Sequence, residues 1–134
     1  MTVTVTTLPK EGFRQTITSG PHTFFSDLPA EKGGQDTAAD PHQLFYAGWG
    51  ACTNMTLQLY CRKKGWPLQS VSTHFEEDKQ GSKPSIRKRI EIKGNFDEAQ
   101  LSRLKQIAEK CPVNRLIVNP KQIQVDLVHQ DSDA

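Results

Sequence analysis

Hydrophobic and polar residues alternate in the first part of the chain, which is the pattern of half-buried strands. Val3 and Val5 alternate with threonines, and a second apolar segment leads to a turn signal at 19–21. A further strand is predicted over 22–25. The polar, glycine-containing residues 30–39 that follow predict a mobile loop that borders a site.

The next segment has a helical period and clear end signals. Asp40 is a good N-cap, and Pro41 suits the first helical position, whose N–H would be unpaired in any case. The predicted helix ends at Lys64, because a run of three cations precedes Gly65, a residue that suits a left-handed C-cap. Its predicted apolar stripe comprises Leu44, Ala47 or Gly48, Ala51 or Cys52, Met55 and Leu59.

The middle of the second half predicts a hairpin. Residues 71–75 alternate in polarity, and a turn signal follows at 80–84. In the second predicted strand, 86–93, the isoleucines occupy one parity, and the other parity carries Arg87, Arg89, Glu91 and Lys93. We therefore expect the charges to lie on a solvated face rather than in a binding patch.

The end of the chain predicts a helix and a last strand. Asp97 and Gln100 have the spacing of a capping box, and the apolar face of the helix that they open comprises Leu101, Leu104, Ala108 and Cys111. The apolar run 113–118 fits a helix or a strand, and the alternation of Ile123, Val125 and Leu127 predicts a strand. The order of elements predicts an α+β fold, and the lack of repeats or linkers predicts one domain over residues 1–134.

Composition limits the possible partners. The formal charge of +2 comes from 17 basic and 15 acidic residues that are spread along the chain, so nucleic acid is not an expected partner. No leader and no membrane-length apolar run is visible, so we expect a cytoplasmic protein that is not bound to a membrane. Only 35% of the residues are hydrophobic, which would leave a lone chain with a thin core and favours oligomerisation.

Two cysteines carry the candidate chemistry. Cys52 and Cys111 fall on the apolar faces of the two predicted helices, which could bring two thiols together, although cysteine is also common in ordinary cores. Cys61 lies nine residues after Cys52, half a turn out of phase and about 13 Å along the helix axis, so these two cannot pair. A redox pair fits the cytoplasm better than a structural disulfide does. The histidines lack metal-ligand spacing, and we expect no metal or other cofactor.

The segments around these cysteines resemble a known family. Residues 41–56 (PHQLFYAGWGACTNMT) with 64–68 (KGWPL) are similar to the first-cysteine segment of the OsmC/Ohr family, and 109–114 (EKCPVN) to its second-cysteine segment. The resemblance extends over about residues 13 to 128. It implies an OsmC-like fold in which two central helices are flanked by antiparallel sheets in an intertwined homodimer.

The resemblance also implies a peroxiredoxin-like activity in oxidative stress defence. Cys52 would attack an organic hydroperoxide and become a sulfenic acid, Cys111 would resolve it as a disulfide, and an external dithiol would reduce the pair. The family's hydroperoxidases carry a glutamate ten residues before the first cysteine, where this chain has His42, with Gln43 beside it. They also carry an activating arginine in the strand or loop before the first-cysteine helix. Between positions 13 and 40 this chain has one arginine, Arg14, which lies early in the predicted strand instead. A protonated His42 or Lys32 is the candidate substitute for the missing cation.

Two other functions remain open. One is a non-catalytic OsmC-like dimer that binds a small apolar ligand in its interface cleft and keeps its cysteines for packing. The other is a purely structural, stress-related dimer. Exposure to an organic hydroperoxide separates them from the enzyme, because only the enzyme must lose two thiols per chain.

Overall fold

The protein chain is described here by a computed structural model that covers residues 1–8, 10, 12–79 and 82–132. In this part of the chain, three α-helices and two antiparallel sheets form a mixed α+β fold, which confirms the predicted class. The elements in order are β1 (Thr4–Thr7), β2 (Gln15–Ser19), β3 (His22–Ser26), a 3-10 turn (Ala30–Lys32), α1 (Pro41–Lys64), β4 (Leu68–Asp78), β5 (Ser85–Gly94), α2 (Glu98–Ala108) and α3 (Pro112–Val118).

The two sheets differ in how they meet the helices. The first has the order β1–β2–β3, and within the described residues none of its strands packs extensively on a helix. The second is the long β4–β5 hairpin, which packs on α1. The core of the described chain therefore lies between this hairpin, α1 and α2.

Helix α1 has the bounds that its end signals predict. The Asp40 carboxylate accepts the Gln43 N–H at 2.8 Å, and the Gln43 side-chain oxygen accepts the Asp40 N–H at 2.9 Å, which completes a capping box. At the other end, Gly65 adopts a left-handed φ of 70° and donates its N–H to the Arg62 carbonyl. Local hydrogen bonds alone thus define both ends of this helix.

The buried face of α1 differs from the predicted stripe. Met55 and Leu59, predicted to be core, are 60% and 67% exposed. The residues that are buried instead are Trp49, Gly50, Thr53, Leu57 and Cys61. The hairpin determines this orientation: a Cβ on Gly50 would lie 3.2 Å from the Phe75 ring, so the missing side chain lets the sheet approach α1 on that side.

The main apolar cluster joins α1 to α2. It comprises Leu57, Cys61, Leu104, Ile107 and Ala108. Asp97 and Gln100 form the predicted capping box at the start of α2. Leu104 and Ala108 are buried as predicted, but Leu101 is exposed, and Cys111 lies beyond α2 as the N-cap of α3.

The last predicted strand is wrong for this single chain. Residues 119–132 carry neither helix nor strand, and Ile123, Val125 and Leu127 are exposed. A strand exists only where a neighbouring strand accepts its hydrogen bonds, and no described strand of the chain pairs with this segment. The ambiguous run 113–118 lies in helix α3.

We predict that Leu104→Ala lowers the free energy of unfolding by about 2–5 kcal/mol, because Leu104 is fully buried and its removal leaves a cavity. Leu101→Ala is the matched control on the same helix, and its smaller effect follows from the 43% exposure of Leu101. Chemical denaturation of both variants measures the difference. Equal losses would contradict this assignment of the core.

Candidate functional site

Cys111 lies at the start of α3, where the chain turns out of α2. It is fully buried, and its backbone is extended, with φ −62° and ψ 142°, as expected of an N-cap. Its Sγ accepts the backbone N–H of Asn114 at 3.3 Å, and Pro112 occupies the first helical position. The thiol therefore takes the capping role that an aspartate or serine usually has.

Thr53 connects this thiol to α1. It is fully buried, its hydroxyl donates to the Trp49 carbonyl at 3.1 Å, and its Oγ1 lies 3.6 Å from the Cys111 sulfur. A hydroxyl carries one hydrogen, and here that hydrogen is directed to Trp49. The Cys111 S–H is thus the donor to Thr53, and the same sulfur accepts from Asn114.

Cys52 is the residue directly before Thr53 on α1. It is half-buried, whereas Cys111 and Cys61 are buried, and all three are free thiols. The structure thus brings the segment that carries Cys52 into contact with Cys111, through Thr53. Cys61 lies in the apolar cluster instead, where burial raises the pKa of its thiol.

An aromatic cluster covers the neighbouring part of α1. It is formed by Phe45, Tyr46, Trp49 and Phe75. The Trp49 and Phe75 ring centroids are 4.9 Å apart, and Trp49 is buried, so its ring packs within the cluster. These rings give the neighbourhood of Cys52 an aromatic, apolar character, with Trp49 as its buried member.

Lys88 is the site residue that the sequence reasoning missed. It lies on β5 opposite Phe75, is half-buried, and its ammonium is 5.0 Å from the Trp49 ring centroid. Burial lowers the pKa of Lys88, and negative charge on Cys111, on Cys52 and then on Glu109 acts to raise it. The signal was present: Lys88 shares the parity of Ile86, Ile90 and Ile92, the apolar parity of this strand.

A cavity adjoins this lysine. Its volume is about 360 Å³, and its walls come from β5, α1 and α2. They comprise Leu57, Lys88, Ile90, Ile92, Leu101, Leu104, Lys105 and Ala108. The lining is thus mostly aliphatic, with two lysines as its charged members.

The three candidate supporting residues lie elsewhere. His42 is exposed, about 15 Å along the helix axis from Cys52, and its Nδ1 is 3.9 Å from a Glu77 oxygen. The Gln43 amide oxygen is engaged in the helix cap. Lys32 is exposed at the end of the 3-10 turn, in a segment closed by hydrogen bonds from Leu28 and Thr37 to the Asp27 carboxylate. No contact found in the described chain joins these three residues to the thiols.

Tyr46 and Glu77 form a separate polar contact at the end of β4. The Tyr46 hydroxyl donates to the Glu77 carboxylate. This hydrogen bond lowers the pKa of Glu77, and it raises the pKa of Tyr46 because the neutral hydroxyl is the form that donates. The pair is therefore intact above the lowered pKa of Glu77 and is lost as the pH falls through it.

The described residues hold neither a metal-binding cluster nor a membrane-spanning helix. No group of three or more His, Cys, Asp or Glu side chains has an arrangement that would hold a metal ion. None of the helices in the described ranges is both long and apolar enough to cross a membrane.

The fold and the cysteine segments place the chain among known proteins. The family model for OsmC-like protein matches residues 33–126, and the chain belongs to the OsmC family. A comparison with curated protein sequences gives no match.

Solved structures with the same fold come from several bacteria. An osmotic stress induced and detoxification response protein from Psychrobacter arcticus is 15% identical, with a TM-score of 0.72 over 90% of this chain and 89% of that chain. The organic hydroperoxide resistance protein OsmC from Legionella pneumophila is 22% identical, with a TM-score of 0.62 over 88% and 90%. The organic hydroperoxide resistance protein OhrB of Bacillus subtilis is 23% identical, with a TM-score of 0.59 over 87% and 89%. At these identities, the likeness shows the fold.

We predict that Tyr46→Phe raises the pKa of Glu77 toward its usual value of 4.5, because the hydrogen bond that lowers it is removed. A carboxyl NMR titration measures the change. Tyr60→Phe is the control, since the Tyr60 hydroxyl accepts from Arg103 and has no contact with Glu77. An unchanged Glu77 titration in Tyr46→Phe would show that another group lowers its pKa.

Proposed function

We propose that this protein reduces organic hydroperoxides with Cys52 and Cys111. The observation that carries the proposal is the contact of Cys111 with Thr53, the residue next to Cys52, which brings the segments of two free cysteines from distant parts of the chain together. The hydroperoxide-resistance proteins with the same fold support the same class of reaction.

The different burial of the two thiols supports different roles. Cys52 is half-buried and therefore accessible to a small peroxide, so it is the attacking residue. Cys111 is fully buried and is therefore shielded from a peroxide in solvent. It would react with an oxidised group already attached to α1. We assign Cys111 as the resolving residue.

The reaction follows from these roles. The Cys52 thiolate attacks the terminal oxygen of ROOH, the O–O bond breaks, and the departing alkoxide takes a proton to give ROH. Cys52 is then a sulfenic acid, which the Cys111 sulfur attacks to form the Cys52–Cys111 disulfide and release water. An external dithiol reduces the disulfide to two thiols and is itself oxidised to a disulfide.

We predict that one equivalent of cumene hydroperoxide removes two of the three free thiols of the reduced protein. Peptide mapping should then find a Cys52–Cys111 link. Cys61→Ala should lose the same two thiols, because Cys61 lies in the apolar cluster away from the pair. In Cys52→Ser, the disulfide should not form. Retention of all three thiols in the wild type, or a dominant link to Cys61, would contradict the proposed reaction.

The second candidate function is binding of a small apolar molecule without catalysis. The aliphatic cavity of about 360 Å³ favours it, since cavities of this size and character accept small ligands. Saturable binding of an apolar fluorescent probe, with no thiol lost to hydroperoxide, would favour this function over the first.

We further propose that the functional form is a homodimer. The outer face of α1 exposes Phe45, Met55 and Leu59, and the tail 119–132 exposes a second apolar series. The first sheet also has little packing within its own chain. A second copy would bury these surfaces together, which would provide the core that a chain with this low apolar content needs.

We predict that the protein sediments as a dimer at micromolar concentration. Leu59→Glu should shift it toward monomer, because the substitution places a charge on the exposed apolar face of α1. Ser102→Glu is the control, since it adds the same charge at an exposed position of α2. A well-folded wild-type monomer at this concentration would refute the proposed assembly.

A further inference from the structure

The position of Lys88 is unusual for a lysine. Buried lysines are rare because the ammonium loses its hydration, and most of those that occur are paired with a carboxylate. Lys88 is half-buried on the apolar parity of β5, and none of the ion pairs found in the described chain includes it. Other groups must therefore offset the cost of its burial.

The groups that face Lys88 come from three elements. The face of the Trp49 ring, on α1, lies 5.0 Å from the ammonium. Cys111, at the start of α3, and Cys52, on α1, are close enough for negative charge on either sulfur to stabilise the charged lysine, and Glu109, after α2, contributes less. Lys105, on α2, lines the same cavity as Lys88 and carries the same positive charge. The cysteine pair and Glu109 are therefore the groups near Lys88 that can carry a negative charge.

The other cations considered for this role are engaged elsewhere. The Arg14 guanidinium lies 4.0 Å from the centroid of the Phe25 ring, on the first sheet. His42 lies beside Glu77, and Lys32 is exposed on the 3-10 turn. Lys88 is the cation that lies against Trp49, whose carbonyl accepts from Thr53, the residue that follows Cys52 and contacts Cys111.

We propose that Lys88 is a positioning residue that holds Cys52 as a thiolate for attack. When the Cys52 S–H bond breaks, its proton passes to water, and the negative sulfur is left facing an ammonium in an apolar setting. There the attraction between opposite charges is stronger than in water. The coupling is reciprocal: a negative sulfur stabilises the charged form of Lys88, and charged Lys88 stabilises the negative sulfur by the same free energy.

The role of Lys88 in the attack on peroxide rests on the proposed function. Its electrostatic effect on the Cys52 thiolate does not depend on that function. The same coupling to Cys111 would stabilise the thiolate that forms on that residue when the disulfide is reduced. Glu109 acts in the opposite sense, since its negative charge disfavours a second negative group nearby. Lys88 is therefore the residue whose charge can be changed without altering either thiol or the hydrogen bonds of Cys111.

The test is the pH dependence of Cys52 alkylation by iodoacetamide in the reduced protein, with the site identified by peptide mass spectrometry. We expect Lys88→Met, which keeps an unbranched apolar stem, to move the midpoint upward by about one pH unit and to slow alkylation at neutral pH by about tenfold. Lys88→Arg keeps the charge and should restore most of the wild-type curve.

Arg87→Met is the matched control. It removes a positive charge from the neighbouring residue of β5, on the exposed parity, and should leave the midpoint unchanged. Circular dichroism and thermal unfolding of all variants separate loss of charge from loss of fold.

Each outcome decides the proposal. An unchanged midpoint in a folded Lys88→Met variant would overturn it and would indicate that a cation from elsewhere, such as a second copy of the chain, activates Cys52. Equal shifts in Lys88→Met and Arg87→Met would overturn it in favour of a general surface-charge effect. A shift specific to Lys88→Met, in a protein that fails to reduce hydroperoxide, would uphold the inference about Lys88 and reject the proposed function.

Discussion

The contact between Thr53 and Cys111 is the constraint on which the site depends. This contact requires α3 to begin against the middle of α1. Helix α1 can accept α3 at that point because Thr53 is small and its hydroxyl is already bonded to the Trp49 carbonyl. Pro112 cannot continue α2, so the chain turns, and the Cys111 sulfur caps the helix that follows. One backbone N–H, of Asn114, and one buried hydroxyl, of Thr53, thus hold the Cys111 thiol in place.

The β4–β5 hairpin supplies the electrostatic part of the same arrangement. Gly50 lets the Phe75 ring approach α1, and the pairing of Phe75 with Lys88 then places the lysine stem beside that ring and its ammonium over Trp49. The glycine at position 50 thus favours close packing of Phe75 on the helix that carries Cys52. Ile90 and Ile92, on the same parity of β5, line the adjoining cavity, so a single strand face supplies both apolar packing and the charge.

Local signals were sufficient for the element bounds but not for the orientation of α1. Asp40 and Gly65 predict where α1 begins and ends, because the bonds that end a helix involve neighbouring residues. The predicted stripe placed Met55 in the core, whereas the structure buries Thr53, since the choice between faces depends on a hairpin and a helix that come later in the chain. The same limit applies to the tail: alternation identifies a segment suited to a strand, but not the strand that would pair with it.

Cys52 and Cys111 differ in their surroundings. Thr53 and Asn114 hold Cys111 through hydrogen bonds, whereas Cys52 is half-buried. Met55 and Leu59, three and seven residues after Cys52, lie on the same face of α1 as Cys52 and are exposed. The half-buried thiol therefore adjoins the exposed apolar surface of the helix, whereas Cys111 lies beneath the buried Thr53. A second copy seated on the outer face would change the access to the half-buried Cys52 while leaving the bonds that hold Cys111 intact.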